Sequence, residues 1–134
     1  MSERSLVSAP IAVPAREAQP RLRFSMWHLF SGISLCFDGG ILEVQPQSSG
    51  SWSAVGSGAL SVPYDAQVNN AYDNPRGGQP AWCFDRAWSP VEVDLSSWAG
   101  QEVRLRWRLT TDRTEGTAEG WYVDDVHLRQ MVCP

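Results

Sequence analysis

The stretch Glu102-Val103-Arg104-Leu105-Arg106-Trp107-Arg108-Leu109 decides the fold class. Its apolar residues alternate with three arginines, a period of two and not of 3.6. Successive side chains of a strand point to opposite faces, so Val103, Leu105, Trp107 and Leu109 share one face and the arginines share the other. The segment from Arg21 repeats the pattern. Leu22, Phe24, Met26, His28 and Phe30 fall on one side; Arg21, Arg23, Ser25 and Trp27 fall on the other. Shorter runs follow at Ile41 to Val44, Trp52 to Val55, Val91 to Leu95 and Trp121 to Arg129. Asp38-Gly39-Gly40 reads as a turn whose glycines admit positive φ, and Ser48 to Ser51 and Ser96 to Gly100 read as further corners. No segment keeps a helical period beyond one turn. Short strands punctuated by Gly, Pro and Asn predict an all-β fold, an antiparallel β-sandwich.

Length and composition set the bounds. The 134 residues make one domain, and 43% hydrophobic against 19% charged is a globular balance. Residues 1–20 read as an N-terminal extension with an edge strand, Leu6-Val7 to Ile11-Ala12-Val13, because Pro10 and Pro14 bar it from a sheet centre. Residues 21–134 form the sandwich domain. Residues 56–90 are the longest irregular stretch, with Trp82 and Trp88 as its expected anchors. Eleven basic residues, all arginine, face fifteen acidic ones for a net charge of −4. That balance argues against a nucleic-acid partner. No apolar run is long enough to span a membrane. Met1 to Pro20 lacks the charged start and apolar core of a signal peptide, which leaves a cytoplasmic chain or a piece of a longer exported one. Cys36, Cys83 and Cys133 show no zinc-type spacing; one disulfide with one thiol, or three thiols, both fit.

The ordered motifs resemble a known family. They run Leu22-Arg23-Phe24 to Trp27-His28, then Phe37-Asp38-Gly39-Gly40-Ile41-Leu42-Glu43-Val44, Trp52, Asn74-Pro75 and Ala81-Trp82. Val93-Asp94-Leu95-Ser96, Ala99-Gly100, Val103-Arg104-Leu105-Arg106-Trp107 and Gly120-Trp121-Tyr122-Val123-Asp124-Asp125-Val126 complete the set. Together they are similar to the MAM-like jelly-roll module of immune inhibitor A-type secreted bacterial proteins, over residues 5–129. The resemblance implies a jelly-roll sandwich that is extracellular, non-catalytic and part of a larger multidomain chain, and that carries calcium in some relatives. It also implies that the chain begins after the family's first strand. Relatives pair a cysteine in the loop before the Gly-Trp-Tyr-Val-Asp-Asp motif with one after the last strand. Cys133 holds the second place, but Thr110 to Gly120 contains no cysteine. Cys36 and Cys83 stand outside that pattern, and their pairing is one option.

Asp124 and Asp125 are the sharpest chemical feature. The parity of Tyr122, Val126 and Leu128 points Asp124 inward unless a bulge shifts the register. A buried carboxylate needs a cation, hydrogen bonds or a metal. Asp38 and Asp112 supply further oxygens, so Asp38, Asp112, Asp124 and Asp125 form the expected calcium ligand set, with a pairing of Asp124 to an arginine or His28 as the alternative. Glu92 and Asp94 share a strand face at about 6.6 Å, but their setting reads as solvent-facing acids and not as a glycosidase pair. The row Arg104, Arg106, Arg108 is expected to pair across strands with Glu92 and Asp94 and to guard an edge. His28 reads as a hydrogen-bonded core histidine. No nucleophile elbow, P-loop, zinc-protease or dinucleotide motif is present.

Seven tryptophans invite a sugar-binding reading. The resemblance places Trp27, Trp52, Trp82, Trp88 and Trp121 on framework positions. Trp107 faces inward by parity, which leaves Trp98 as the one candidate contact. The function expected is an accessory module that binds a protein surface in adhesion or interaction; the alternative is a carbohydrate-binding module of a secreted hydrolase.

Overall fold

The computed structural model describes residues 2–30, 36, 38–69, 76–111 and 120–133. Among these described residues ten strands form: β1 (Ser2–Val7), β2 (Ile11–Ala12), β3 (Pro20–Leu29), β4 (Gly39–Pro46), β5 (Ser53–Ala54), β6 (Ala66–Gln67), β7 (Pro80–Ala81), β8 (Arg86–Asp94), β9 (Glu102–Thr111) and β10 (Gly120–Gln130). They build an antiparallel β-sandwich. One sheet has five strands, in the order β1-β9-β4-β5 with β2 also on β9; the other has the order β10-β3-β8. Consecutive long strands change sheet at β3 to β4, β8 to β9 and β9 to β10.

The alternating stretches become the two central strands. Along β3 burial alternates without a break, with Leu22, Phe24, Met26 and His28 inward. In β9, Val103, Leu105 and Trp107 are buried in the same core. Strand β9 is paired on both sides, with Leu6 opposite Trp107 on β1 and Leu42 opposite Trp107 on β4. The arginine row therefore guards no edge. Residues 2–12 supply two strands on one flank of β9, with β1 at the margin of the sheet. Strand β8 starts at Arg86, five residues earlier than the alternation from Val91 indicates, because backbone pairing with β3 extends through Ser89 and Arg86.

The Asp38-Gly39-Gly40 motif differs from its sequence reading. Neither glycine takes positive φ. Both open β4, and their missing side chains permit close packing. A Cβ on Gly40 would lie 2.8 Å from the Trp121 ring, and one on Gly39 would lie 3.0 Å from the Ala81 Cβ.

The long connection between β5 and β8 is held by its own anchors. Trp82 is fully buried, its indole N–H donates to the Val62 carbonyl at 2.9 Å, and its backbone exchanges two hydrogen bonds with Gly40. The Tyr64 hydroxyl donates to the Val55 and Leu42 carbonyls at 2.7 and 3.2 Å. Burial raises the pKa of that hydroxyl. A second apolar cluster joins Cys36, Ile41, Val68, Ala81 and Cys83.

Within that cluster Cys36 and Cys83, 47 positions apart in sequence, form a disulfide with Cα atoms 5.3 Å apart; Cys133 is a free, exposed thiol. Closing a loop of that length in the unfolded chain stabilises the fold by about 4 kcal/mol on chain entropy. Reduction with dithiothreitol should therefore lower the unfolding free energy by several kcal/mol. Urea titrations followed by tryptophan fluorescence, with and without reductant, check this, and Cys133→Ser should leave the difference intact.

Candidate functional site

The outer face of the three-stranded sheet carries the candidate site, and a bulge in β10 shapes it. Asp124 lies opposite Ser25 and His127 lies opposite Arg23, so β10 spends three residues where β3 spends two. Asp125 sits in the left-handed region at φ 57°. Asp is among the few side chains that visit this region readily, and one such residue is what a bulge of this kind requires. The Asp124 carboxylate caps the bulge by accepting the Asp125 N–H at 2.8 Å. The expected inward Asp124 is thereby corrected. Before the bulge Trp121 and Val123 point toward the core, and both aspartates are exposed.

Three cross-strand rows describe the face. Asp124, Ser25 and Pro90 form one row; His127, Arg23 and Glu92 the next; Arg129, Arg21 and Asp94 the last. Beyond the first row Tyr122 lies opposite Trp27, and their rings pack at 5.3 Å between centroids. Trp88 on β8 is 56% exposed and Tyr122 is 50% exposed. Ser25, Trp88, Ser89, Pro90, Asp124 and Asp125 line an open cup of about 580 Å³. The face is aromatic and acidic at one end and ion-paired at the other.

The tryptophans are distributed otherwise than expected. Trp88 projects to solvent from the sheet and anchors nothing in the core. Trp98 packs against the core at the corner after β8. Trp107 is buried as parity predicts.

The charged rows are also re-paired. Arg106 and Arg108 both donate through Nε to Glu43 Oε1 at 2.8 Å, and the Arg106 guanidinium lies 4.2 Å from the Trp52 ring centre. Glu43 is only 5% exposed, and sequence reasoning gave it no role. Its signal was its parity: between inward Leu42 and Val44, it shares the outer face with the arginines of neighbouring β9. Glu92 and Asp94 belong to the other sheet and meet Arg21 instead, at 4.0 and 3.1 Å. Asp94 also accepts the Ser96 N–H at 2.9 Å. Its hydrogen bonds to Ser96, with help from Arg21, hold its carboxyl below the usual pKa.

Among the described residues no three His, Cys, Asp or Glu side chains gather to hold a metal. Asp124 and Asp125 flank one bulge, Asp38 precedes β4 of the opposite sheet, and Asp112 lies outside the described residues.

His28 is buried, stacked on Phe30 at 4.7 Å, and neither ring nitrogen has a hydrogen-bond partner among the described residues. Parity placed it inward correctly; the expected hydrogen bond finds no partner among the described residues. Burial, aided by Arg86 and opposed by Asp65 and Asp85, lowers its pKa from 6.5 to about 4.

No family model matches the chain. Over 124 residues it is 27% identical to Bacillopeptidase F of Bacillus subtilis (strain 168). The match takes in 92% of this chain but only 7% of that protein, so the chain spans a small part of its relative. No helix among the described residues is long and apolar enough to cross a membrane.

Two outcomes test this geometry. Between pH 6.5 and about 4 the unfolded state binds a proton at His28 that the folded state refuses. Stability therefore falls as pH falls through that window, by on the order of 3 kcal/mol once below it. His28→Leu should flatten the dependence of the urea midpoint on pH there. Asp125→Val should cost roughly 1–2 kcal/mol because a β-branched residue resists the left-handed conformation, whereas Asp125→Gly should be near neutral. Denaturation curves at pH 7 distinguish them.

Proposed function

We propose that this chain is a non-catalytic accessory module of an exported protein, and that it docks that protein on a partner through the outer face of the three-stranded sheet. The observation that carries this reading is Trp88, exposed on a paired strand beside an open cup, where burial in the core is not its role. Large exposed aromatics cost solubility and mark contact surfaces when they gather with other rings and polar groups. Export is supported by the disulfide, since such bonds persist in oxidising compartments. The likeness to a small part of Bacillopeptidase F supports an accessory role within a larger chain. The strand pair Glu92 and Asp94, the carboxylates that a glycosidase reading would use, is engaged by Arg21.

The test incubates the purified chain with insoluble polysaccharides (chitin and cellulose) and with insoluble protein (fibrillar collagen), and assays casein and nitrophenyl glycosides for turnover. Retention on at least one solid phase, lost in Trp88→Ala, with no turnover of either substrate, is the expected result. Retention on none of them, or turnover of either substrate, overturns the reading.

A further inference from the structure

We infer that the cup beside Trp88 binds a neutral or amino-substituted glycan, with a sugar ring stacked on Trp88 and its hydroxyls donating to Asp124 and Asp125. This rests on the reading of the outer face as a docking surface. The aromatic part comes first. The C–H-rich face of a pyranose is apolar and weakly electropositive, and an indole presents a negative π-face of matching size. Trp88 is 56% exposed, and on β3 and β10 the rings of Trp27 and Tyr122 pack together at 5.3 Å between centroids.

The polar rim supplies the complementary chemistry. Ser25, Ser89, Asp124 and Asp125 meet around the cup. An ionised carboxylate accepts at about four lone-pair positions, and the bulge engages Asp124 through one oxygen. The Ser89 hydroxyl donates its proton to the Ala87 carbonyl at 2.8 Å, which leaves its oxygen to act as an acceptor. The lining holds two acids and no base, which favours a ligand rich in O–H and N–H donors and repels uronates, sulfates and phosphates.

Shape separates a glycan from a peptide. Peptides that add to sheets pair with the backbone of an edge strand, whereas the cup is lined by side chains from all three strands, β10, β3 and β8, across the face of the sheet. Peptide anchors that carry affinity need deep, desolvated pockets. Here the apolar lining is Trp88 and Pro90 in an open depression. Its volume of about 580 Å³ lies in the roughly 300–1,000 Å³ range of small-ligand sites. Strands hold every lining residue, so the site is largely preorganised.

The test applies the whole chain to a glycan array carrying neutral, amino-substituted and uronate oligosaccharides, and titrates a pentalysine peptide in parallel. Binding to neutral or amino-substituted glycans and not to uronates is expected. Trp88→Ala should weaken that binding about tenfold. Asp124→Asn should weaken it as well, while circular dichroism and the urea midpoint stay unchanged in both variants. The inference is overturned if no such glycan binds, if Trp88→Ala binds like the wild type, or if pentalysine binds and glycans do not. Trp88-dependent retention on collagen with an empty array would sink the glycan while leaving the docking surface standing.

Discussion

The burial of Trp82 is the constraint on which the rest of the molecule depends. Its ring meets Tyr64, Trp121 and Phe24 at centroid separations of 4.9, 5.8 and 6.4 Å, so one indole joins the long connection, β10 and β3. Aromatic groups bury large areas, and edge-to-face contacts add to that stabilisation. The backbone of Trp82 is fixed at the same time by its exchange with Gly40, and its indole N–H is satisfied by Val62. A residue from the longest irregular segment thus behaves as core. Gly40 must then stay bare, because the Trp121 ring that packs on Trp82 occupies the space of a Cβ.

The second constraint is the bulge at Asp124 and Asp125, which gives one dipeptide two consequences. It lets Trp121 and Val123 reach the core before the shift, while Leu128 realigns opposite Leu22 after it. It also turns two carboxylates outward beside Ser25 and Trp88. A strictly regular strand would have buried one of these acids against the core at a cost that only a partner could offset. The extra residue removes that cost and leaves an acidic rim on a surface. Structure and candidate site therefore share a cause.

Much of the fold was legible in the chain because period-two alternation is a local property. The inward faces of β3 and β9 follow from Leu22, Phe24 and Met26 and from Val103, Leu105 and Trp107. The site was less legible. Parity along β10 misplaced Asp124, since it was counted in part from Val126 and Leu128, which lie beyond an extra residue that nothing local announces before Asp125 is seen at positive φ. Trp88 and Trp98 exchanged roles because exposure depends on what lies across the sheet and over the corner. The partner of the arginine row was misassigned for the same reason: β9 is bonded to β4, so Glu43 and not Glu92 is in reach. Cysteine spacing alone left the pairing of Cys36 with Cys83 as one option among several.

The sequence by itself determined the strand periodicity, the all-β class, the acidic balance and the inward set of the two central strands. Each of these depends only on neighbours two or three positions apart. Tertiary structure alone decided which acid meets which arginine, which tryptophan is buried, where the disulfide closes and which way the two aspartates point. Those outcomes depend on residues tens of positions apart being brought within a few ångströms, and on a single-residue register shift that reverses the faces of a strand.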